Sequence, residues 1–294
     1  MGRIRKVKGL YSNFESLNIA LNEYISNMDR FTLKFEILTR STTAESGKNK
    51  QGATFMYAQL IRELFLRMEQ NDMKTMIRYC RKIYANDPVQ LRYIDEFEGG
   101  YEPTKAISWY TRDTFLYKAI NKGIREQDIR ILFAMRPFIC HLHNQITTRY
   151  HTQQEQYKNQ LLTLYRGQQF PHDEFEKIKE NNGCLISFSN FLSTTKIKEL
   201  ALIYAGESDE ELTALIFEIE LDRTINEMTS SYASIEDLSH FGSGEQEWLF
   251  TMGAVFRINN VKKELNGMWC VSLTLTNERD KELHDMTVHL RNEL

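Results

Sequence analysis

The chain lacks most of the marks that assign a protein to a compartment or a chemistry at first sight. No run approaches the ~18 apolar residues needed to cross a bilayer, and no apolar signal stretch follows the N-terminus. Met1-Gly2 opens like a myristoylation site, but Lys6 stands where Ser or Thr is required. No Asn-x-Ser/Thr acceptor occurs. The four cysteines (Cys80, Cys140, Cys184, Cys270) are far apart and form no C-x-x-C pair, so neither zinc nor a redox dithiol is indicated. His141 and His143, two apart on a predicted helix, point to different faces and argue against a metal site. The expectation is a soluble, cytoplasmic protein with no metal and no membrane partner.

A large excess of charge of one sign is also missing. A formal net charge of -3 gives no general attraction to nucleic acid, so no nucleic-acid partner is expected. The basic start (Arg3, Arg5, Lys6, Lys8) reads as a solvated terminus, with a weak targeting or nucleic-acid patch as the other reading. Hydrophobic residues at 41% and charged residues at 26% are ordinary globular values, which sets disorder aside as the default.

What is present falls into two rhythms. Met56, Leu60, Ile61, Leu64, Phe65 and Met68 recur at three- and four-residue steps and predict a helix with one buried face. Pro103 opens a second helical segment, TKAISWYTRDTFLYKAINKGI, whose Trp109, Tyr110, Phe115 and Tyr117 suit a core face or, alternatively, a pocket wall. Asp128 to His143 is a third helix, expected to bend at Pro137. Residues 41 to 52, STTAESGKNKQG, read as a linker. After about residue 160 the period shifts toward two in LLTLYRG, CLISFSNF, TALIFEIEL, EWLFTMGAVFRI and MWCVSLTLT, with one helix, roughly Lys196 to Tyr204, between them. Helices gathered early and strands gathered late predict an α+β fold. The division is residues 1–50 as an extension of unassigned role, 51–160 as a helical lobe and 161–294 as a β-rich core.

Three short motifs sit at the ends of predicted strands. In Tyr165-Arg166-Gly167, a guanidinium can fork two donors onto a phosphate, and the glycine allows close approach to the backbone. Alone, it reads first as a surface arginine at a turn. In Phe188-Ser189-Asn190-Phe191-Leu192-Ser193-Thr194-Thr195, alternation places Ser193 and Thr195 on one face and Thr194 on the other. Those hydroxyls suit bridging a ligand to a carboxylate, or capping the helix that follows. Glu245-Gln246-Glu247 puts two acids on one face of a strand, about 6.5 to 7 Å apart at their backbones. Glu96/Glu98, Glu174/Glu176 and Glu218/Glu220 share that spacing. The pair at 245 and 247 differs in following a glycine-bearing loop and entering an apolar strand, where a site is expected rather than a solvated face.

YRG, then F-x-x-F-x-S-T-T, then E-Q-E running into WLFTMGAVFRI resemble the Arg–Ser–Glu class of mono-ADP-ribosyltransferases, which includes vertebrate ecto-enzymes and bacterial toxins. IDEFEGGYEPTKAISWYTRDTFLYKAINKGIREQDI and WCVSLTLTNERDKEL look most like the bdelloid rotifer members. The resemblance covers roughly residues 51 to 294 and implies an ADP-ribosyltransferase fold, with a helical lobe followed by an NAD-binding core of two packed sheets. It implies NAD as co-substrate and a protein arginine as acceptor. Arg166 would grip the pyrophosphate, and the Gly167 backbone would pair with the nicotinamide amide. Ser193 would orient Glu247, which would stabilise the positive ribose as nicotinamide leaves. Glu245 would deprotonate the acceptor guanidinium. Thr195 stands where the family often has Ser, Tyr204 would stack on nicotinamide, and Phe241 in the loop Ile235 to Gly244 would touch a target protein. The family divides at the residue two before the catalytic Glu, and Glu245 there points to arginine rather than other acceptors. An NAD glycohydrolase, a catalytically silent module of the same fold, and transfer to nucleic acid are the alternatives.

Overall fold

Aspartates start three of the helices in the first half of the chain. The computed structural model describes residues 33–39, 45–68, 72–154, 156, 161–222, 228–265, 267–277 and 280–293. It places α1 at Glu45–Arg67, α2 at Met73–Ile83, α3 at Pro88–Gly100, α4 at Ala106–Thr111, α5 at Phe115–Arg125 and α6 at Ile129–Gln153. Asp72 accepts from Lys74 N, Asp87 from Val89 N and Gln90 N, and Asp128 from Arg130 N. Each cap satisfies amides that a helix start leaves unpaired. The buried faces meet in one core around Phe97, whose ring lies 5.1, 5.7 and 6.1 Å from those of Trp109, Phe115 and Phe138. Trp109, Tyr110 and Phe115 are therefore core residues.

Boundaries differ from the sequence expectations for local reasons. The helix expected after Pro103 is two, because the Thr111 hydroxyl donates back to the Ile107 and Ser108 carbonyls and the backbone is extended at Arg112 and Thr114. α6 continues through Pro137 to Gln153 rather than ending near His143. It is held by both cores, with Ile146 in the helical core and Tyr150 in that of the sheet. The polar stretch read as a linker becomes helical at Glu45, and strand β1 (Phe35–Leu38) precedes it. The sheet thus draws in residues ahead of 51. The basic N-terminal cluster lies outside the described residues.

The remaining strands are β2 (Leu161–Pro171), β3 (Leu185–Phe188), β4 (Leu192–Thr195), β5 (Leu212–Asp222), β6 (Tyr232–Ser234), β7 (Glu247–Phe250), β8 (Ala254–Lys263) and β9 (Trp269–Leu275). They hydrogen-bond in the order β1-β3-β8-β9-β5-β2-β4-β7-β6, with β5 and β9 the parallel pair. β7 and β8 are far apart in that order, yet the rings of Phe250 and Phe256 are 5.5 Å apart. The sheet therefore curls into two layers that share one apolar core, with Phe188, Phe217 and Phe256 on one side and Tyr232, Trp248 and Phe250 on the other. The α+β class holds, with a helical lobe followed by this sheet. Besides the expected α8 (Lys198–Ala205), this half holds two helices that went unread, α7 (His172–Glu180) and α9 (Lys281–Glu293), as α2 and α3 did in the helical lobe. α7 carries Asp173 and Glu174 in its first turn and Lys177 and Lys179 in its last, a charge order that favours a helix.

CLISFSNF, read as one strand, is broken between β3 and β4. The Asn190 amide donates to Asn121 Oδ1 at 2.7 Å, and its oxygen accepts from Lys34 N at 3.1 Å. This anchored residue marks where the chain leaves one layer of the sheet and enters the other. EWLFTMGAVFRI is likewise two strands, separated at Gly253, whose φ of +76° suits glycine.

Gly167 in β2 has a different task. A Cβ there would stand 1.8 Å from the Ala201 carbonyl oxygen and 2.5 Å from Ala205 N. The close approach that the glycine permits is that of the α8 backbone. Gly167→Ala is therefore expected to cost about 3 kcal/mol or more in urea unfolding. Gly99→Ala, with nothing within 4 Å of its added carbon, should instead gain about 0.5 kcal/mol from helix propensity. Equal effects of the two would contradict this packing.

Candidate functional site

The site opens where β2 parts from β4. β2 pairs with β5 along its whole length, from Leu161–Asp222 to Pro171–Leu212, but meets β4 only at Tyr165–Thr195. Alternation puts Arg166 and Gln168 on the face that carries Leu164 and Phe170, and Tyr165 and Gly167 on the face under α8. Arg166 Nη1 donates to the Ser193 carbonyl at 2.7 Å and Nη2 to Gln168 Oε1 at 3.3 Å. Its buried Nε has no hydrogen-bond partner. The guanidinium is held by neutral acceptors, and burial lowers its pKa from the ordinary arginine value. Such a cation keeps its proton and retains capacity for an anionic ligand.

β7 is buried on both faces. Trp248 and Phe250 enter the sheet core, whereas Glu247 and Leu249 face the other way, where Leu249 joins the helical core. Register places Glu247 opposite Thr195 and Leu249 opposite Ser193 on β4. Ser193 Oγ donates to Glu247 Oε1 at 2.6 Å, and Ser239 Oγ donates to Oε2 at 2.8 Å. Thr194 turns to the opposite face and donates to the Trp248 carbonyl at 3.1 Å. Burial raises the Glu247 carboxyl above the usual glutamate range, as does nearby Glu245; the two serine hydroxyls and Arg166 pull it back down.

Glu245 reaches the same pocket by another route than expected. It ends a 3-10 turn, Gly242–Glu245, and Gln246 then takes a left-handed φ of +43° before β7 begins at Glu247. The two acids are therefore not alternate residues of one strand, and the strand-spacing argument for them is corrected by that backbone turn. Thr195 Oγ1 donates to the Glu245 carbonyl at 2.6 Å and accepts from Ile197 N at 3.0 Å, so its hydroxyl serves both the turn and the approach to α8. The Tyr204 hydroxyl, from α8, donates to Glu245 Oε1 at 2.8 Å. Burial and that carboxylate both raise the Tyr204 pKa.

Arg166, Gly167, Ser193, Thr195, Tyr204, Glu245 and Glu247 line one pocket. Phe241 does not; it is exposed at the loop tip beside His240. Ser239 escaped the sequence reading, although a signal existed in its place within the glycine-bearing loop before the two acids. The other E-x-E pairs do different work. Glu96 and Glu98, on α3, pair with Arg112 and Arg81, and Glu218 on β5 lies 3.8 Å from Lys198. His141 Nδ1 lies 3.0 Å from the Tyr101 hydroxyl, and His143 titrates low, at about 4, through burial and the Arg62 charge. All four cysteines are buried and free. Among the described residues no helix is long and apolar enough to cross a membrane.

No family model matches the chain, and no curated protein matches its sequence. Solved structures do match in arrangement. The chain is similar to Plx2a, an ADP-ribosyltransferase toxin from Paenibacillus larvae, at 16% identity over 68% of this chain and 96% of that one, with a TM-score of 0.45. It is similar to the C3 exoenzyme of Clostridium limosum at 16% identity, over 71% and 97% of the two chains, TM-score 0.45. HopU1, an ADP-ribosyltransferase of Pseudomonas syringae, follows at 18% identity, 74% and 97%, TM-score 0.42. At such identity and overlap these likenesses carry nothing about chemistry, which rests on the chain's own side chains.

A carboxyl whose pKa is raised by folding binds its proton more tightly in the folded chain than in the unfolded one. Its ionisation therefore opposes folding, by an amount that grows as pH rises from the usual glutamate value through the folded one. Glu247→Gln should melt higher than the wild type at neutral pH, and the difference should vanish below about pH 4. Calorimetric scans across pH would show this; a variant that melts lower at every pH would contradict the assignment of Glu247 as an ion held against its burial cost.

Proposed function

We propose that the chain is a mono-ADP-ribosyltransferase that moves ADP-ribose from NAD to an arginine side chain and releases nicotinamide. The observation that carries the reading is the pairing of a buried carboxylate, Glu247, fixed by two serine hydroxyls, with a half-buried arginine, Arg166, whose buried Nε has no hydrogen-bond partner. NAD carries an anionic pyrophosphate and a cationic nicotinamide ring joined by a ribose, so a cation and an anion in one pocket match these two charges.

In this reading Arg166 binds the pyrophosphate, and Ser193 keeps Glu247 turned toward the nicotinamide ribose. The C1′–N glycosidic bond breaks, nicotinamide leaves with the bonding pair, and Glu247 stabilises the positive charge that develops on the ribose. An acceptor guanidinium is protonated at neutral pH and becomes nucleophilic only on losing a proton. Glu245, on the lip of the pocket, takes that proton as the guanidine nitrogen forms its bond to C1′. The Tyr204 hydroxyl on Glu245 orients this acid, a different part from stacking on nicotinamide. Gly167 serves by letting α8, and with it Tyr204, lie close to β2. Thr195 sets the turn that delivers Glu245, and Phe241, exposed near it, is a contact for the acceptor protein.

The test is transfer of labelled ADP-ribose from NAD to agmatine, a small guanidine. Wild type should label it, and Glu247→Ala should lose ~10³-fold or more in rate. Glu245→Gln should still release nicotinamide while guanidine labelling falls at least ~10²-fold. Nicotinamide release without labelling by the wild type would replace the transferase with a glycohydrolase. No consumption of NAD would leave a silent module of the same fold.

A further inference from the structure

The Glu247 carboxylate is gripped from two directions, a strand and a loop. Ser193 comes from β4, inside the sheet. Ser239 comes from the loop between β6 and β7, and its hydroxyl also accepts from Phe241 N at 3.3 Å, which aims its proton at Glu247 Oε2. The loop is pinned at its base by α6. Arg149 Nε donates to the Ser234 carbonyl at 3.1 Å, and its two terminal nitrogens fork onto Asp237 at 3.2 and 2.5 Å. Gln153 exchanges two hydrogen bonds with the Ser234 backbone, at 2.9 and 3.0 Å. The chain then turns on the Ile235 carbonyl, which accepts from Leu238 N and Ser239 N at 2.9 and 2.7 Å, and His240 N reaches Thr111 Oγ1 at 2.9 Å. Every one of these bonds fixes where Ser239 stands.

We propose that Ser239 is a positioning residue for Glu247, and that through it the loop, anchored on α6 by Arg149, sets the orientation and charge of the carboxylate. Its significance rests on the transferase reading, because the same loop presents Phe241 and Glu245 to an acceptor. Removing the Ser239 donor weakens the ionised form of Glu247 against the protonated one. The other titratable groups that face Glu247 are Arg166 from β2, Glu245, Tyr110 from α4 and Tyr204 from α8.

The test needs neither NAD nor activity. The chain is labelled with 13C at the glutamate side-chain carboxyls, the Glu247 signal is assigned by its loss in Glu247→Gln, and its titration is followed by NMR. Ser239→Ala should move the midpoint upward by about one pH unit, and Ser239→Thr, which keeps the hydroxyl, should restore it. Arg149→Met should shift the midpoint the same way, and the double variant should shift no further than Ser239→Ala alone. An unchanged midpoint in Ser239→Ala, or shifts that add in full, would overturn the proposal. Thermal melts of each variant check that the fold is retained. If the wild type fails to transfer ADP-ribose, the transferase reading falls while the titration still decides the role of Ser239.

Discussion

A carboxylate placed between two hydrophobic cores must be given donors, and most of the architecture around Glu247 follows from that requirement. Taking such an ion out of water costs several kcal/mol, and each hydrogen bond to it returns about 1.5–3 kcal/mol. Ser193 and Ser239 supply one bond to each oxygen. Ser193 is available because β4 runs antiparallel to β7 in a register that sets Thr195 across from Glu247. That register in turn depends on the break at Asn190, which delivers the chain from β3 to β4. The site is thus a consequence of how the sheet changes layers.

The fork between β2 and β4 explains the rest. Two strands that meet at a single residue pair leave backbone and side chains unsatisfied beyond it, and Arg166 fills that space with its own donors. α8 closes the fork on one side, and only a glycine at 167 lets it come close enough for Tyr204 to reach Glu245. The loop before β7 closes the other side and is tied to the helical lobe through Arg149, Gln153 and Thr111. The pocket is lined from the sheet, α8 and this loop, and the helical lobe holds the loop in place.

Much of this was legible in the sequence where the signal is local. The period of α1, the alternation along β4 and the order of the three motifs can be read from neighbouring residues, and the pocket collects all three. Features set by distant partners were not legible. The break at Asn190 is held by residues 69 and 156 positions away, and Ser189-Asn190 is a short turn signal inside an otherwise strand-like run. The left-handed Gln246 also has no local cause, so the two acids were placed on one strand when a turn separates them. Ser239 was passed over because its value lies in a contact that appears only once the loop is pinned to α6. The packing of α8 against Gly167 was not legible either, because it is made by residues 34 and 38 positions further on.

Ionic complementarity is the heart of the account: Arg166 for the pyrophosphate and Glu247 for the nicotinamide ribose, joined through Ser193, which accepts from one and donates to the other. The most direct test is a crystal structure of the Glu247→Gln chain, slowed in cleavage, with NAD bound. The account predicts the pyrophosphate on Arg166, its Nε engaged, and the nicotinamide ribose against residue 247. NAD bound elsewhere, or a pyrophosphate that leaves Arg166 on Ser193 and Gln168 alone, would contradict it.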